Sequence, residues 1–207
     1  MSKVISFISR KGGTGKTTNA INLATTLHHL GHRVLLIETD SNFTLNTLRK
    51  MEQFKQKDQA KTFDILSSND HEVADELAKI RETSKAHYII VDSAGKTTDE
   101  GIKKLCLVSE AVVVPTSLTQ NDLLVTYQTV TDLAPARELN PKLQILVLPN
   151  RIHSATGVHT VRESLKNLDA RILPVIVPQK NVFVNFSTLT PEESYIPVAK
   201  EIIESLV

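Results

Sequence analysis

The chain has 207 residues, 41% of them hydrophobic and 23% charged, and a formal net charge of +1. That length suits one α/β domain over residues 1–207, and the composition is ordinary for a soluble globular protein. The near-zero charge excludes a generally basic nucleic-acid binder, so any DNA contact has to come from a local patch. The single cysteine, Cys106, excludes intrachain disulfides and cysteine-cluster metal sites and suits a reducing cytoplasm. The apolar stretch near the N-terminus is too short for a signal peptide, and no later run approaches transmembrane length.

Short runs rich in Val and Ile alternate with helix-like stretches. Residues 4–8 read as a buried strand. A helix over 17–30 follows, with Ile21, Ala24, Leu27 and His28 near one face and Gly31 just past its end. Residues 34–37 form the second strand, and the polar run 50–61 reads as a surface loop or a loose helix extension. A helix over 73–80 leads to a strand over 88–91, one over 98–108 to a strand over 111–114, and one over 120–133 to a strand over 143–148. A helix over 158–168 and a strand over 172–177 precede a last helix. Pro191 or Pro197 opens it, since proline is tolerated in a first turn but not in a helix interior. This alternation predicts an α/β fold, a mostly parallel twisted sheet with helices on both faces.

The first strand runs through Lys11-Gly12-Gly13-Thr14-Gly15-Lys16-Thr17-Thr18 into the first helix, which is the context a phosphate loop requires. Glycines 12, 13 and 15 let backbone N–H groups close around phosphate oxygens, and the helix N-terminus adds partial positive charge. Lys16 is expected to reach the β- and γ-phosphates, Thr17 to ligate Mg²⁺ and Thr18 to contact the α-phosphate. Asp92 ends the strand over 88–91 and reads as the carboxylate that holds Mg²⁺ through water. Ser93-Ala94-Gly95 then supply a turn able to sense the γ-phosphate. Asp40 follows the second strand, at the sheet edge where ligands bind in open α/β folds. No Asn-Lys-x-Asp guanine motif occurs, so ATP with Mg²⁺ is the expected cofactor pair.

Position 10 is Arg where the ordinary Walker pattern has glycine, and Lys11 precedes two glycines. The loop resembles the deviant Walker A loop of the ParA/MinD family of partitioning and positioning ATPases. The resemblance implies a P-loop NTPase architecture and an ATP-dependent homodimer, in which Lys11 crosses the interface to touch the other subunit's nucleotide. It implies that Asp40, the second aspartate of the family's Asp-x-Asp, lies in switch I near the metal and orients the attacking water. Glu38 replaces the first aspartate, and Ser41-Asn42 stand where Pro-Gln often follows, so turnover is expected to be slow. In Leu148-Pro149-Asn150-Arg151, Asn150 resembles the family's adenine-reading asparagine, with Arg151 beside it, and Pro178 lies where relatives wrap the adenine. Lys11, Lys16 and Asp40 would then carry the catalysis, and Thr17, Asp40 and Asp92 would hold the metal.

ParA-type relatives bind DNA nonspecifically through basic residues of the C-terminal half, and the candidates here are Arg162, Lys166, Arg171 and Lys180. A ParB-like or adaptor partner would trigger hydrolysis. The tail places Tyr195, Val198, Ala199, Ile202, Ile203 and Leu206 at helical spacing, beside a polar face of Glu201, Glu204 and Ser205 on which Lys200 is the only base. Anionic lipid repels an acidic face, so this helix is expected to pack on the core of a cytoplasmic protein rather than on a membrane. A metabolic ATPase or ligase of the same fold, or a MinD-like membrane-associated positioning ATPase, stands as the alternative reading.

Overall fold

Eight strands and nine α-helices form among the described residues of the computed structural model, which are 2–40, 44–56, 62–94 and 99–206. Chain order is β1 (Lys3–Phe7), α1 (Lys16–His29), β2 (Val34–Glu38), α2 (Thr44–Gln56), β3 (Asp64–Ser67), α3 (Val73–Thr83), β4 (Tyr88–Asp92) and α4 (Asp99–Val108). Then come β5 (Ala111–Thr116), α5 (Gln120–Leu133), α6 (Ala136–Leu139), β6 (Gln144–Ile152), α7 (Val158–Leu165), β7 (Arg171–Ile172), β8 (Val177–Pro178), α8 (Asn181–Val184) and α9 (Ile196–Glu204). A 3₁₀ turn, Glu193–Tyr195, leads into α9. Ser41, Asn42, Gly95, Thr98 and the end of the polar run, 57–61, lie outside the described residues.

The strands line up as β3-β2-β4-β1-β5-β6-β7, with β8 also on β6, and every pairing among them is parallel. Successive strand residues point to opposite faces. Ile5, Phe7, Leu36, Ile90, Val113 and Leu146 therefore pack with α1 and α9 on one side. Val4, Leu35, Ile37, Ile89, Val91, Val112 and Val147 pack with residues of α3, α4, α5 and α7 on the other. Because both faces are covered, the strands read as continuous apolar runs rather than alternating ones. β1 lies between β4 and β5, so the loop after it opens at the centre of the carboxyl edge, where the chain's order across the sheet reverses.

Residues 50–56 belong to α2, so of the two readings of the polar run the helical one holds there. Arg49 holds that polar helix down: its guanidinium donates to the carbonyls of Phe63 and Thr188 and lies 4.1 Å from the Phe63 ring centre. Residues 172–177 are not one strand. Pro174 offers no N–H to a ladder, and two-residue strands remain on either side, β8 joining β6 through an irregular register. β3 was not expected at all, because this four-residue edge strand buries only Ile65.

Of the two prolines, Pro197 opens the last helix. Val198, Ala199 and Ile202 turn its apolar side into the core, and no helix among the described residues is long and apolar enough to cross a membrane. Fully buried Tyr195, at the helix's start, donates from its hydroxyl toward the carbonyl oxygen (3.2 Å) and side-chain oxygen (3.0 Å) of Asn19. Asn19 in turn donates to Gly15 O at 2.8 Å, so the tail braces the first turn of α1. Tyr195→Phe removes this buried donor and should cost about 1–2 kcal/mol. Urea unfolding measures it, and an unchanged midpoint would remove the brace from the account.

Candidate functional site

Gly15 sits at the N-cap of α1 with φ +100, a conformation that side chains resist. A Cβ there would stand 2.3 Å from Asn150 Nδ2. That amide donates to Thr14 O at 2.8 Å, and Arg151 Nη1 donates to Gly13 O at 2.8 Å. Asn150 and Arg151, at the end of β6, are thus brought onto the phosphate loop and clasp it from beside β5. Pro178 reaches the same edge as the last residue of β8, paired with Ile152. Lys16, Thr17 and Thr18 open α1, so unpaired amides of its first turn face the loop.

Lys16 is buried, and its Nζ donates to Lys11 O at 3.3 Å. Burial pulls its pKa below the usual lysine range, while the charges of Asp92, Asp70 and Asp40 pull it back up. These carboxylates arrive from three neighbouring strand ends: Asp40 after β2, Asp70 after β3 and Asp92 at the end of β4. The sequence reading missed Asp70, because it lies beyond the unrecognised strand.

Asp92 is 2% exposed, and burial raises its pKa to about 7, against the opposing effects of a hydrogen bond from the Thr17 side chain and the charge of Lys16. Its Oδ1 is buried with no hydrogen-bond partner among the described residues. An orphaned carboxylate oxygen next to a threonine hydroxyl and a buried lysine fits Mg²⁺ bound with a nucleotide phosphate. Thr17 and Asp92 would hold the ion, which would supply charge neutralisation at the phosphates. Asp40 lies close enough for its charge to act on Lys16, Glu38 and Asp92.

Glu38 has a different task. It is buried, and its carboxylate accepts from the backbone N–H groups of Thr44 (2.9 Å) and Leu45 and from the Thr44 hydroxyl, capping the N-terminus of α2. Burial raises its pKa in spite of these bonds. The extra methylene over aspartate serves that reach.

Lys11 turns onto its own chain, where Nζ meets Asp122 Oδ1 at 2.7 Å. Partial burial pushes the Asp122 pKa up, but hydrogen bonds from Lys11 and Ser117 and the charges of Lys11 and Arg151 outweigh it and hold the carboxyl low. The Lys11 side chain is 43% exposed, so the pair contributes no more than about 1 kcal/mol and exchanges readily for another anion. Arg10 reaches Asp99 at 2.7 Å and Asp132 at 2.5 Å, tying the loop to α4 and α5. Arg162, Lys166, Arg171 and Lys180 are all exposed. Lys166 pairs with Glu163 and Arg171 with Glu201, and Arg162 and Lys166 together rim a cleft lined by Val158, Val161 and Ile176.

Residues 2–99 match a family model described as an AAA domain. Sporulation initiation inhibitor protein Soj of Bacillus subtilis is 48% identical over 40 residues, 19% of this chain and 16% of its own length. The chain thus spans less than a fifth of the length of that relative. Maintenance of carboxysome distribution protein A of Halothiobacillus neapolitanus is 24% identical over 177 residues, 84% of this chain and 79% of the relative. The family-model match and these relatives support a place for the chain among the ParA/MinD-type P-loop ATPases. A plasmid partition protein from Borrelia burgdorferi has the same fold, with a TM-score of 0.68, 20% identity, and coverage of 99% of this chain and 100% of that one. Cobyrinic acid a,c-diamide synthase from Mycobacterium smegmatis, solved with ADP and magnesium, shares it too, with a TM-score of 0.73, 18% identity, and coverage of 99% and 95%.

Since Mg²⁺ needs an ionised ligand, binding below pH 7 must displace the Asp92 proton. Mg·ADP affinity should therefore hold steady above about pH 7 and fall by up to about tenfold per unit below it. Asp92→Asn should bind weakly with a flat profile. Calorimetry in buffers of different ionisation heat reads the released proton, and equal affinity at pH 6 and 8 in the wild type would contradict the assignment.

Proposed function

We propose that this protein is a ParA-like ATPase that partitions or positions DNA or another large cargo, with ATP and Mg²⁺ as its switch. ATP assembles a dimer in which Lys11 leaves Asp122 and reaches the nucleotide of the second copy. Lys16 and Lys11 spread the charge that develops on the transferred phosphoryl group, Asp40 orients the attacking water, and Thr17 and Asp92 position the metal. Asn150, backed by Arg151 and Pro178, contacts the adenine. The dimer binds DNA without sequence preference through Arg162, Lys166, Arg171 and Lys180, and a ParB-like or adaptor protein stimulates hydrolysis and release. Under this reading residues 1–207 act as one domain, in the cytoplasm and on nucleoid DNA.

The observation that supports the reading most is the placement of Lys11: a second loop lysine, held at 2.7 Å by an exchangeable carboxylate at the mouth of the phosphate loop. A lysine serving only its own nucleotide would duplicate Lys16. The partition and distribution proteins among the relatives support the cargo class.

DNA binding of the purified protein, measured with no nucleotide, ADP, ATP or AMPPNP across a salt series, tests the proposal. Binding should require the triphosphate and weaken steeply with salt, and Arg162→Glu with Lys166→Glu should lower the slope of log K against log salt by about one per lost phosphate contact. Intact ATP binding with no DNA binding in any state would reject the partition reading and favour a metabolic ATPase or ligase of the same fold, or a MinD-like membrane-associated positioning ATPase.

A further inference from the structure

Asp70 stands outside the nucleotide motifs, yet it bonds to both loops that flank the metal position. The loop after β3 carries it there. β3 runs parallel to β2 with Ser67 level with Glu38, and β2 runs parallel to β4 with Glu38 level with Asp92. The three strands thus end side by side. Asn69 fixes the departing loop by accepting the backbone N–H groups of Glu72 (3.0 Å) and Val73 (2.9 Å) at the entrance to α3.

From that turn Asp70 Oδ1 accepts the hydroxyl of Thr39 and, at 3.3 Å, the backbone N–H of Ala94. The Ala94 N–H is shared, lying 3.0 Å from Thr39 Oγ1. Thr39 is also sewn to β4, its N–H donating to Asp92 O at 3.1 Å. A single carboxylate oxygen therefore joins Thr39, the residue before Asp40, to Ala94, the second residue after Asp92. Its charge also acts on Lys16. A cavity of about 310 Å³, lined by Thr39, Asn69, Asp70, His71, Glu72 and Ala94, opens beside it.

The geometry points to Asp70 as a positioning residue for ATP hydrolysis: it locks the Thr39 hydroxyl and the Ala94 amide into one register and so sets Asp40 against the turn after Asp92. It acts through those two loops, and its charge reaches Lys16. The inference rests on the hydrolysis proposed above and names a residue that the nucleotide motifs do not include. Thr39 gives the shorter of the two links, because its hydroxyl accepts from Ala94 at 3.0 Å while donating to Asp70, a relay that valine cannot reproduce.

The test compares the wild type with Asp70→Ala, Asp70→Asn, Thr39→Val and the Asp70→Ala/Thr39→Val double variant. Asp70→Ala should keep Mg·ATP affinity within about threefold while kcat falls at least tenfold, a loss of about one factor of ten in transition-state stabilisation. Asp70→Asn, which keeps an acceptor oxygen, should recover part of the rate. The double variant should be little slower than the worse single one, since both break one network. Hydrogen exchange in the nucleotide-free protein supplies a readout that needs no turnover: the Ala94 amide should be protected in the wild type and lose that protection in both single variants, with melting temperatures little changed. Wild-type turnover in Asp70→Ala, additive losses in the double variant, or unaltered Ala94 exchange would each overturn the assignment. If the wild type binds ATP without hydrolysing it, the proposed function fails and the hydrolytic role of Asp70 fails with it; wild-type hydrolysis with unchanged turnover in Asp70→Ala overturns the role of Asp70 alone.

Discussion

The close approach of Asn150 to Gly15 fixes the rest of the site. A loop that presents backbone amides to phosphate needs a left-handed residue at its last turn, and here the space a side chain would fill is taken by an amide from β6. That contact spans the sheet from β1, past β5, to β6. It is possible only because all three strands end at the same edge and because Phe7, Val113 and Leu148 bury a common face beneath it. The tail adds a second brace from the opposite side of α1 through Tyr195 and Asn19. The phosphate loop is thus clasped by segments well over a hundred residues away in sequence, which holds its amides in place before any ligand arrives.

Electrostatics then separates rigid parts from exchangeable ones. Lys16 and Asp92 are buried, and each is pushed toward its neutral form by desolvation while the other's charge opposes the shift. Neither cancels the other fully, so the site gains from a bound metal and phosphates that satisfy both. Lys11 and Asp122 lie nearer the surface, where an ion pair is weak and trades partners cheaply. Glu38 belongs to the rigid set: it caps α2 and leaves the electrostatics around Lys16 to Asp92, Asp70 and Asp40.

Much of this was legible in the chain because the signals were local. The glycine spacing of residues 12–15, the apolar runs of β1, β2, β4, β5 and β6, and the break at Gly31 each reflect a backbone or burial constraint felt within a few residues. What escaped was set by distant partners. The polar run that ends α2 reads as either a loop or a helix extension because Arg49, which anchors the helix, finds its acceptors at Phe63 and Thr188. β3 is short and sits at the sheet edge with a single buried residue, so it carried too little pattern to be seen, and Asp70 was lost with it. Glu38 looked like an imperfect aspartate because its partners, the amides of Thr44 and Leu45, are provided by a helix that the reading had not placed.

The central claim is that nucleotide assembles two copies through Lys11, and sedimentation velocity tests it most directly. The wild type and Lys11→Ala would be compared without nucleotide, with Mg·ADP and with Mg·AMPPNP. The account predicts a monomer in the first two states, a dimer with the triphosphate analogue, and a Lys11→Ala variant that binds the analogue yet stays monomeric. A wild type whose mass ignores the nucleotide, or a Lys11→Ala variant that dimerises normally, would contradict it.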